Sequence, residues 1–332
     1  MSPINEKSSL NKIAKFILIG STVIASFTAW YFSYRAGLVT TYNDAMSHLN
    51  IARFIIDSKQ TGLTQLGSVW LPLNHILDLT LIWNNWAWHS GFAGSFFSML
   101  AYIFSAIGIY AIVKELTDNI WASIVGGLAF ALNPNILYLQ TTPLTEPLYL
   151  VLVISSILYL IKFFKTDDLR YLLFAGILGF LQVLARYDGW FVVFIEGLVV
   201  LYHQRFIAKH HFQEAIAKIL LFATPIIFAV VLWLAWNALI FGSPLYFILG
   251  PYSAHAQQAT IQESGSLITK GNILMSLLAY WYSISANLGT YLAVLSLVGA
   301  IIFLFLKNRT TGANLGRLKQ TLGAFYFVLL LI

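Results

Sequence analysis

An acid and an imidazole stand one helical turn apart in residues 42–57, a run with helical periodicity. At about 100° per residue, Asp44 and His48 fall on the same side as the apolar residues of this predicted helix. A charge that faces protein or lipid is costly, so the placement indicates a role. A carboxylate and an imidazole can act as a general base or bind Mg²⁺ or Mn²⁺. Alternatively, Asp44 only caps the helix and His48 fills an interfacial niche.

Three more charged residues lie farther along the chain. Glu146 follows the turn Asn133-Pro134-Asn135, and Arg186 and Asp188 interrupt the apolar residues 171–202. That stretch is too short for two helices of about 20 residues with an exposed turn, so we expect the turn to be drawn inward. Charges at such a depth are expensive unless they are paired. Arg186 either forms a simple ion pair with Asp188 or Glu146, or binds a lipid phosphate.

Composition indicates which elements must position these groups. Hydrophobic residues make up 59% of the chain and charged residues 10%, against about 25% charged in soluble proteins, so lipid must be the solvent. The net charge of +6 arises from short basic clusters between apolar runs, which do not indicate nucleic acid as a partner. The absence of cysteine excludes disulfides, thiolate catalysis and cysteine-ligated metals. Neither HExxH nor a P-loop nor a Gly-rich dinucleotide motif occurs.

Eight apolar runs are candidate membrane spans, and a further run begins at Leu322. They cover residues 13–33, 92–113, 120–132, 148–164, 171–185, 190–202, 219–240 and 288–306. The first is too long for a signal peptide, so we interpret it as an uncleaved helix. We expect an all-α polytopic bundle that forms a single domain over residues 1–332. Because the ninth run stops at Ile332, we also expect a longer protein.

The basic residues predict the orientation of the bundle. With a cytoplasmic N-terminus, fourteen of the nineteen Lys and Arg residues fall in inner loops, as the positive-inside rule requires. They are Lys7, Lys12, Lys15, Lys114, Lys162, Lys165, Arg170, Arg205, Lys209, Lys218, Lys307, Arg309, Arg317 and Lys319. The outer side receives two aromatic-rich segments, residues 34–91 and 241–287, and we expect interfacial helices in the first. The sequence therefore predicts a multi-pass plasma-membrane protein with an extracytoplasmic active site.

The order of several short motifs resembles that of the GT-C glycosyltransferases, especially the branch with protein O-mannosyltransferases and the aminoarabinose transferases of lipid A. The motifs are the acid Asp44 followed by Ile51-Ala52-Arg53, Trp70-Leu71-Pro72-Leu73, Leu144-Thr145-Glu146-Pro147, Leu184-Ala185-Arg186-Tyr187-Asp188-Gly189-Trp190 and Phe241-Gly242-Ser243-Pro244-Leu245-Tyr246. The resemblance implies a GT-C-type bundle that moves a sugar, a hexose or a pentose, from a polyprenyl-phosphate carrier to a hydroxyl of a glycan, lipid or protein.

The resemblance also implies roles for residues. Asp44 matches the acid that deprotonates the acceptor hydroxyl or holds a metal. The family's usual second acid is absent beside it, since Asn43 and Ala45 flank Asp44, and His48 or Glu146 are the candidates to replace it. The remaining candidates bind the donor phosphate or the substrate: Arg186, Glu146, Asp188, Arg53, His75 in residues 70–75, and Tyr252 in residues 241–258. Membrane lipids are further expected partners.

Two other functions compete with the transferase. A transporter would carry internal repeats and charges at the membrane midplane, and neither is visible in the sequence. A non-catalytic lipid-binding protein would explain the membrane spans. It would not explain why Asp44 and His48 share the apolar side of a helix.

Overall fold

The computed structural model describes residues 3–263, 265 and 267–305. The chain divides after Leu232 into two compact units, described separately below, and a single domain stays a prediction. The described residues form helices and no strands, which confirms the predicted all-α class.

The first unit holds the helices that build the bundle. They are α1 (Pro3–Arg35), α2 (Asn43–Ile56), α3 (Leu73–Asp78), α4 (Asn85–His89), α5 (Phe92–Thr117), α6 (Ile120–Ala131), α7 (Pro134–Leu139), α8 (Glu146–Thr166), α9 (Leu169–Ala185) and α10 (Asp188–Tyr202), with α11 (Phe212–Phe241) running past its boundary. A 3₁₀ turn covers Leu63–Gln65, and a π-helical turn, His203–Ile207, continues α10. In the second unit, α12 is Tyr246–Leu249, α13 Ala254–Glu263, α14 Ile273–Leu288 and α15 Thr290–Phe305.

Each of the eight predicted spans lies largely within a helix, but fewer helices are long enough to cross a membrane. Five described helices qualify by length and composition: Ser9–Arg35, Phe92–Thr117, Glu146–Thr166, Asp188–Ile207 and Phe212–Phe241. Helices α6 and α9 have 12 and 17 residues, below the roughly 20 that a span needs. Ile273–Leu288 and Thr290–Gly299 form a pair bent by 103°, which would be a sixth span. The start at Leu322 lies outside the described residues.

Helix α14 differs from the prediction, because the sequence predicts an outer loop over residues 241–287. The described part of that segment contains a 16-residue apolar helix over Ile273–Leu288 instead. Its tyrosines, its serines and Asn287 resemble a loop in composition, although its apolar residues recur at helical spacing.

The core of the first unit lies where α8, α9, α10 and α11 meet. Leu160 and Phe163 of α8, Leu172 of α9 and Phe222 of α11 are buried there. Glycines allow close approach elsewhere in the unit, since a Cβ on Gly94 of α5 would lie 2.4 Å from Pro143 Cβ. Interlocked apolar side chains therefore fix the ends of these helices, and with them the charges that the ends carry.

Helix α1 runs toward one end of the unit and α5, α8 and α10 all run away from it, so that end collects the functional segments. We call it the loop end: α1 ends there, α5, α8 and α10 begin there, and α2, α3, α4 and α7 belong to it. Helix α8 alone has 21 residues, about 31 Å at 1.5 Å per residue. Its start at Glu146 and the turn after Thr166 therefore lie at opposite ends.

Arg53 fastens α2 to the chain before α4. Its Nη1 donates to the carbonyl oxygens of Ile82 at 2.9 Å and Trp83 at 3.2 Å. Nε and Nη2 donate to Asp57 at 3.0 and 2.6 Å, and the guanidinium lies 4.7 Å from the Trp88 ring centroid. These contacts give Arg53 a structural role, and its predicted role in substrate binding stays a prediction.

We expect Arg53→Ala to lower the free energy of unfolding by about 1–3 kcal/mol, because two carbonyls lose a charged donor. Thermal unfolding of the full chain in detergent measures this. Asp57→Ala is the control, since its side chain is 62% exposed and such pairs contribute about 0–1 kcal/mol. Unchanged stability in Arg53→Ala together with lost substrate binding would favour the predicted binding role instead.

Candidate active site

Asp44 lies in the first turn of α2, and it is exposed. The N-cap is Tyr42 and makes no side-chain cap hydrogen bond, so the interpretation of Asp44 as the cap is wrong. The expected burial of Asp44 beside His48 is also wrong, because the buried face of α2 centres on Ala45, Leu49 and Ala52 and leaves Asp44 at its margin. Its carboxylate forms no hydrogen bond or ion pair with the described residues. It is free to meet a substrate.

His48, one turn later, is buried and bonded to a second histidine. His48 Nδ1 lies 2.8 Å from His75 Nε2, and His75 Nδ1 lies 3.1 Å from the Leu66 carbonyl oxygen. A carbonyl only accepts, so His75 Nδ1 carries a hydrogen and donates it. In a neutral ring Nε2 is then the acceptor, and His48 Nδ1 must donate to it. This series of hydrogen bonds therefore leaves a lone pair on His48 Nε2.

The surroundings keep both imidazoles neutral. Burial, the neighbouring His75 and the charge of Arg186 lower the pKa of His48 to about 3. Burial lowers the pKa of His75 to about 4, although its bond to Leu66 acts in the opposite direction. The Trp70 ring packs on His48 with centroids 4.6 Å apart. At neutral pH this pair accepts and donates hydrogen bonds without carrying charge.

Arg186 forms both of the ion pairs that the sequence left as alternatives. Its Nη1 donates to Glu146 Oε1 at 2.6 Å and to Thr145 Oγ1 at 3.1 Å. Its Nε donates to Asp188 Oδ2 at 3.0 Å, and Nη2 lies 2.9 Å from the same oxygen. Burial opposes the charge, but Glu146 and Asp188 outweigh it and raise the pKa of Arg186. The guanidinium is thus a fixed cation with 31% of its side chain exposed.

The fold places the turn between α9 and α10 near His48 and His75. Arg186 is the C-cap of α9, Asp188 begins α10, and Glu146 begins α8. Tyr187, between Arg186 and Asp188, donates its hydroxyl to the Val69 carbonyl at 2.9 Å. This bond connects the turn between α9 and α10 to the residue before Trp70. Helix α3, which carries His75, also contacts α9. His48, His75, Arg186, Glu146 and Asp188 therefore share the loop end.

Asp78 is an acid at this end that the sequence analysis missed. It is fully buried at the end of α3, and neither carboxyl oxygen has a hydrogen-bond partner among the described residues. It lies beside the close approach of Gly94 and Pro143. Burial raises the pKa of Asp78 well above its usual range. An acid within the apolar run Ile76-Leu77-Asp78-Leu79 was the available signal.

A divalent metal at Asp44 and His48 stays a prediction, and the described residues do not fit it well. They supply no third ligand beside this pair, and the one described group of three potential ligands is Asp167, His210 and Glu214. That group lies at the opposite end of α8, where Lys218 Nζ stands 2.7 Å from Asp167 and 3.1 Å from Glu214. The Lys218 ammonium already pairs with both of these carboxylates.

Tyr252, the last predicted binding residue, lies in the second unit. Its side chain is 73% exposed, between α12 and α13. Its predicted contact with substrate stays a prediction.

Residues 82–237, just under half of the chain, match the family model of dolichyl-phosphate-mannose-protein mannosyltransferases. The resemblance to GT-C glycosyltransferases is thereby confirmed. The match includes Glu146, Arg186 and Asp188, and it begins after Asp44, His48 and His75. It supports a membrane glycosyltransferase with a polyprenyl-phosphate sugar donor. No curated protein matches the chain.

Asp78 makes stability depend on pH. Folding raises the pKa of Asp78. The free energy of unfolding is therefore highest below the pKa of the unfolded state, near 4, and it falls as pH rises through the pKa of the folded state. We expect Asp78→Asn to raise the unfolding temperature at pH 7–8 and to change it little at pH 5. Thermal scans in detergent across this range measure it, with exposed Asp57→Asn as the control. Parallel curves for Asp78→Asn and the unaltered chain would contradict the argument.

Proposed function

We propose that the protein transfers a sugar from a polyprenyl-phosphate donor to an acceptor hydroxyl at the loop end of the first unit. The observation that carries this proposal is the juxtaposition of α2 and α3 with the turn at Arg186. It gives an exposed carboxylate, a neutral imidazole and a fixed guanidinium at one end of a membrane bundle. The family match supports the donor class, because it covers the segment that carries Arg186.

Asp44 is the proposed base. The acceptor hydroxyl gives its proton to the Asp44 carboxylate while its oxygen forms a bond to the anomeric carbon. The bond from that carbon to the phosphate oxygen breaks, and the electron pair leaves with the polyprenyl phosphate. Asp44 is suited to this because it is exposed and unpaired among the described residues, while water can later remove the proton.

Arg186 is the proposed contact for the departing phosphate. Hydrogen bonds to Thr145, Glu146 and Asp188 engage three of its five N–H groups, which leaves the two on Nη2, next to their ion pair with Asp188, to meet a phosphate. Glu146 and Asp188 then act as positioning residues that hold the guanidinium in place. A cation that is fixed before the reaction stabilises the charge that develops on the phosphate without further reorganisation.

The proposed orientation puts the loop end outside the cell. Lys114, Lys165 and Arg170 lie at the opposite end of the unit, next to the turns that join α5 to α6 and α8 to α9. Basic residues of short loops favour the cytoplasmic side, so the site would face away from the cytoplasm of a plasma membrane. The acceptor would be a glycan, a lipid or a protein hydroxyl, and the sugar a hexose or a pentose.

We expect Asp44→Asn to lose transfer by about 10²–10⁴-fold, because the amide cannot take the acceptor's proton. The full chain in proteoliposomes with polyprenyl-phosphate sugars and a hydroxyl acceptor provides the assay. Asp57→Asn, at the other end of α2 and also exposed, should keep full activity. Full activity in Asp44→Asn would reject the assignment.

Donor binding should depend on Arg186. Arg186→Ala is expected to weaken binding of polyprenyl phosphate by about 10–100-fold, the usual effect of losing a charged hydrogen bond. Competition against a labelled donor measures it. Arg35→Ala removes an exposed arginine at the end of α1, also at the loop end, and should leave the affinity unchanged. Equal affinity in both variants would leave Arg186 a structural residue.

A further inference from the structure

The strongest unassigned feature of the loop end is the lone pair of His48 Nε2. The hydrogen bonds from His75 to Leu66 and from His48 to His75 fix which nitrogen of His48 carries hydrogen. A rigid acceptor of this kind is well suited to selecting a hydroxyl, because the hydroxyl must approach from one direction. Nothing else among the described residues donates a hydrogen bond to this nitrogen.

We propose that His48 is a sugar-binding residue, whose Nε2 accepts a hydrogen bond from a hydroxyl of the donor sugar, with Trp70 beside it as an apolar platform. This inference rests on the proposed function. It changes the role of His48 from the catalytic one that the sequence indicated to recognition of the donor.

The position of Arg186 favours the donor sugar over the acceptor. Tyr187, the residue after Arg186, donates its hydroxyl to the carbonyl of Val69, and the next residue, Trp70, packs on His48, so Arg186 and His48 belong to adjoining parts of the loop end. A phosphate held by Arg186 carries the donor sugar on one of its oxygens, which brings that sugar to the part of the loop end where His48 lies. The acceptor hydroxyl instead approaches Asp44, which is exposed at the margin of α2.

Trp70 supplies the second part of the subsite. Its ring packs on His48 with 4.6 Å between centroids and remains half-buried, so part of it is accessible. Binding sites for small polar molecules combine apolar or aromatic walls with a few fixed polar groups. A tryptophan ring and one fixed acceptor fit the C–H and O–H groups of a sugar.

Two residues act through His48 as positioning residues. His75 accepts from His48 Nδ1 and so keeps the lone pair on Nε2. The carbonyl of Leu66 accepts a hydrogen bond from His75 Nδ1. The next residue, Gly67, has a φ of +102°, a left-handed conformation that favours glycine. The geometry of this loop therefore sets the tautomer of a histidine in another helix.

A matched pair of variants tests the proposal. In His48→Asn the amide nitrogen replaces Nδ1 and still donates to His75, but the acceptor at Nε2 is gone. In His48→Gln the longer amide puts an acceptor near the Nε2 position. Each full-length variant is reconstituted in proteoliposomes and assayed with a polyprenyl-phosphate sugar and with its series of monodeoxy analogues.

The unaltered protein should discriminate at least tenfold in kcat/KM against one deoxy donor. His48→Asn should lose at least tenfold with the parent donor and almost nothing with that deoxy donor, so the discrimination disappears. His48→Gln should retain part of it. Equal loss with every donor would overturn the proposal in favour of a base or a structural role, and full discrimination in His48→Asn would overturn it outright.

Failure of the proposed function gives a different pattern. If the unaltered protein transfers no sugar from any polyprenyl-phosphate donor, the proposed function falls, and the sugar role of His48 falls with it. If transfer occurs and depends on Asp44 while His48→Asn keeps its discrimination, only the inference about His48 is wrong.

Nitrogen NMR of ¹⁵N-histidine-labelled protein tests the geometry without any activity. At neutral pH the His48 and His75 rings should each show a protonated Nδ1 and an unprotonated Nε2, with signals assigned by their loss in His48→Asn and His75→Asn. A protonated Nε2 on His48 would overturn the proposal. His75→Asn should weaken the discrimination between donors, because it removes the acceptor at the Nε2 position that fixes the tautomer of His48.

Discussion

The pairing of Arg186 with Glu146 and Asp188 is the interaction on which the loop end depends. It joins the start of α8 to the turn between α9 and α10. Both are ends of helices that pack through the core of the first unit, so the cation is fixed by the whole bundle. Without its two partners a partly buried guanidinium would be costly in a lipid environment. In the proposed function, the same pairing determines where the donor phosphate approaches.

The sequence predicted the elements well because apolar runs report directly on the lipid solvent. It also located Arg186, Glu146 and Asp188 near one another, since a charge beside an apolar run requires a partner. Its main error concerned Asp44, which the helical wheel placed on the buried face. A wheel gives the angle of a residue, whereas burial depends on which neighbouring element covers that part of the helix. The first turn of α2 is left uncovered at Asp44.

The pairing of His48 with His75 was beyond the sequence for a different reason. The two residues are 27 positions apart and are joined by an irregular segment with a 3₁₀ turn. Their contact depends on the path of that segment, including the left-handed Gly67 and the carbonyl of Leu66. No periodicity encodes such a path. Asp78 escaped notice similarly, since a single acid in a short apolar run gives no indication of how deeply a later helix will cover it.

The separation of a neutral histidine from an exposed aspartate divides the proposed chemistry into two tasks. A buried imidazole with a pKa near 3 takes a proton poorly at neutral pH, but it keeps its hydrogen-bond direction under all physiological conditions. An exposed carboxylate recognises little by itself, yet it exchanges protons readily with water. Because the two stand one turn apart on α2, the proposed roles let one helix orient the donor and activate the acceptor. The proposed role of Arg186 meets the third requirement, which is to hold the phosphate from which the sugar leaves.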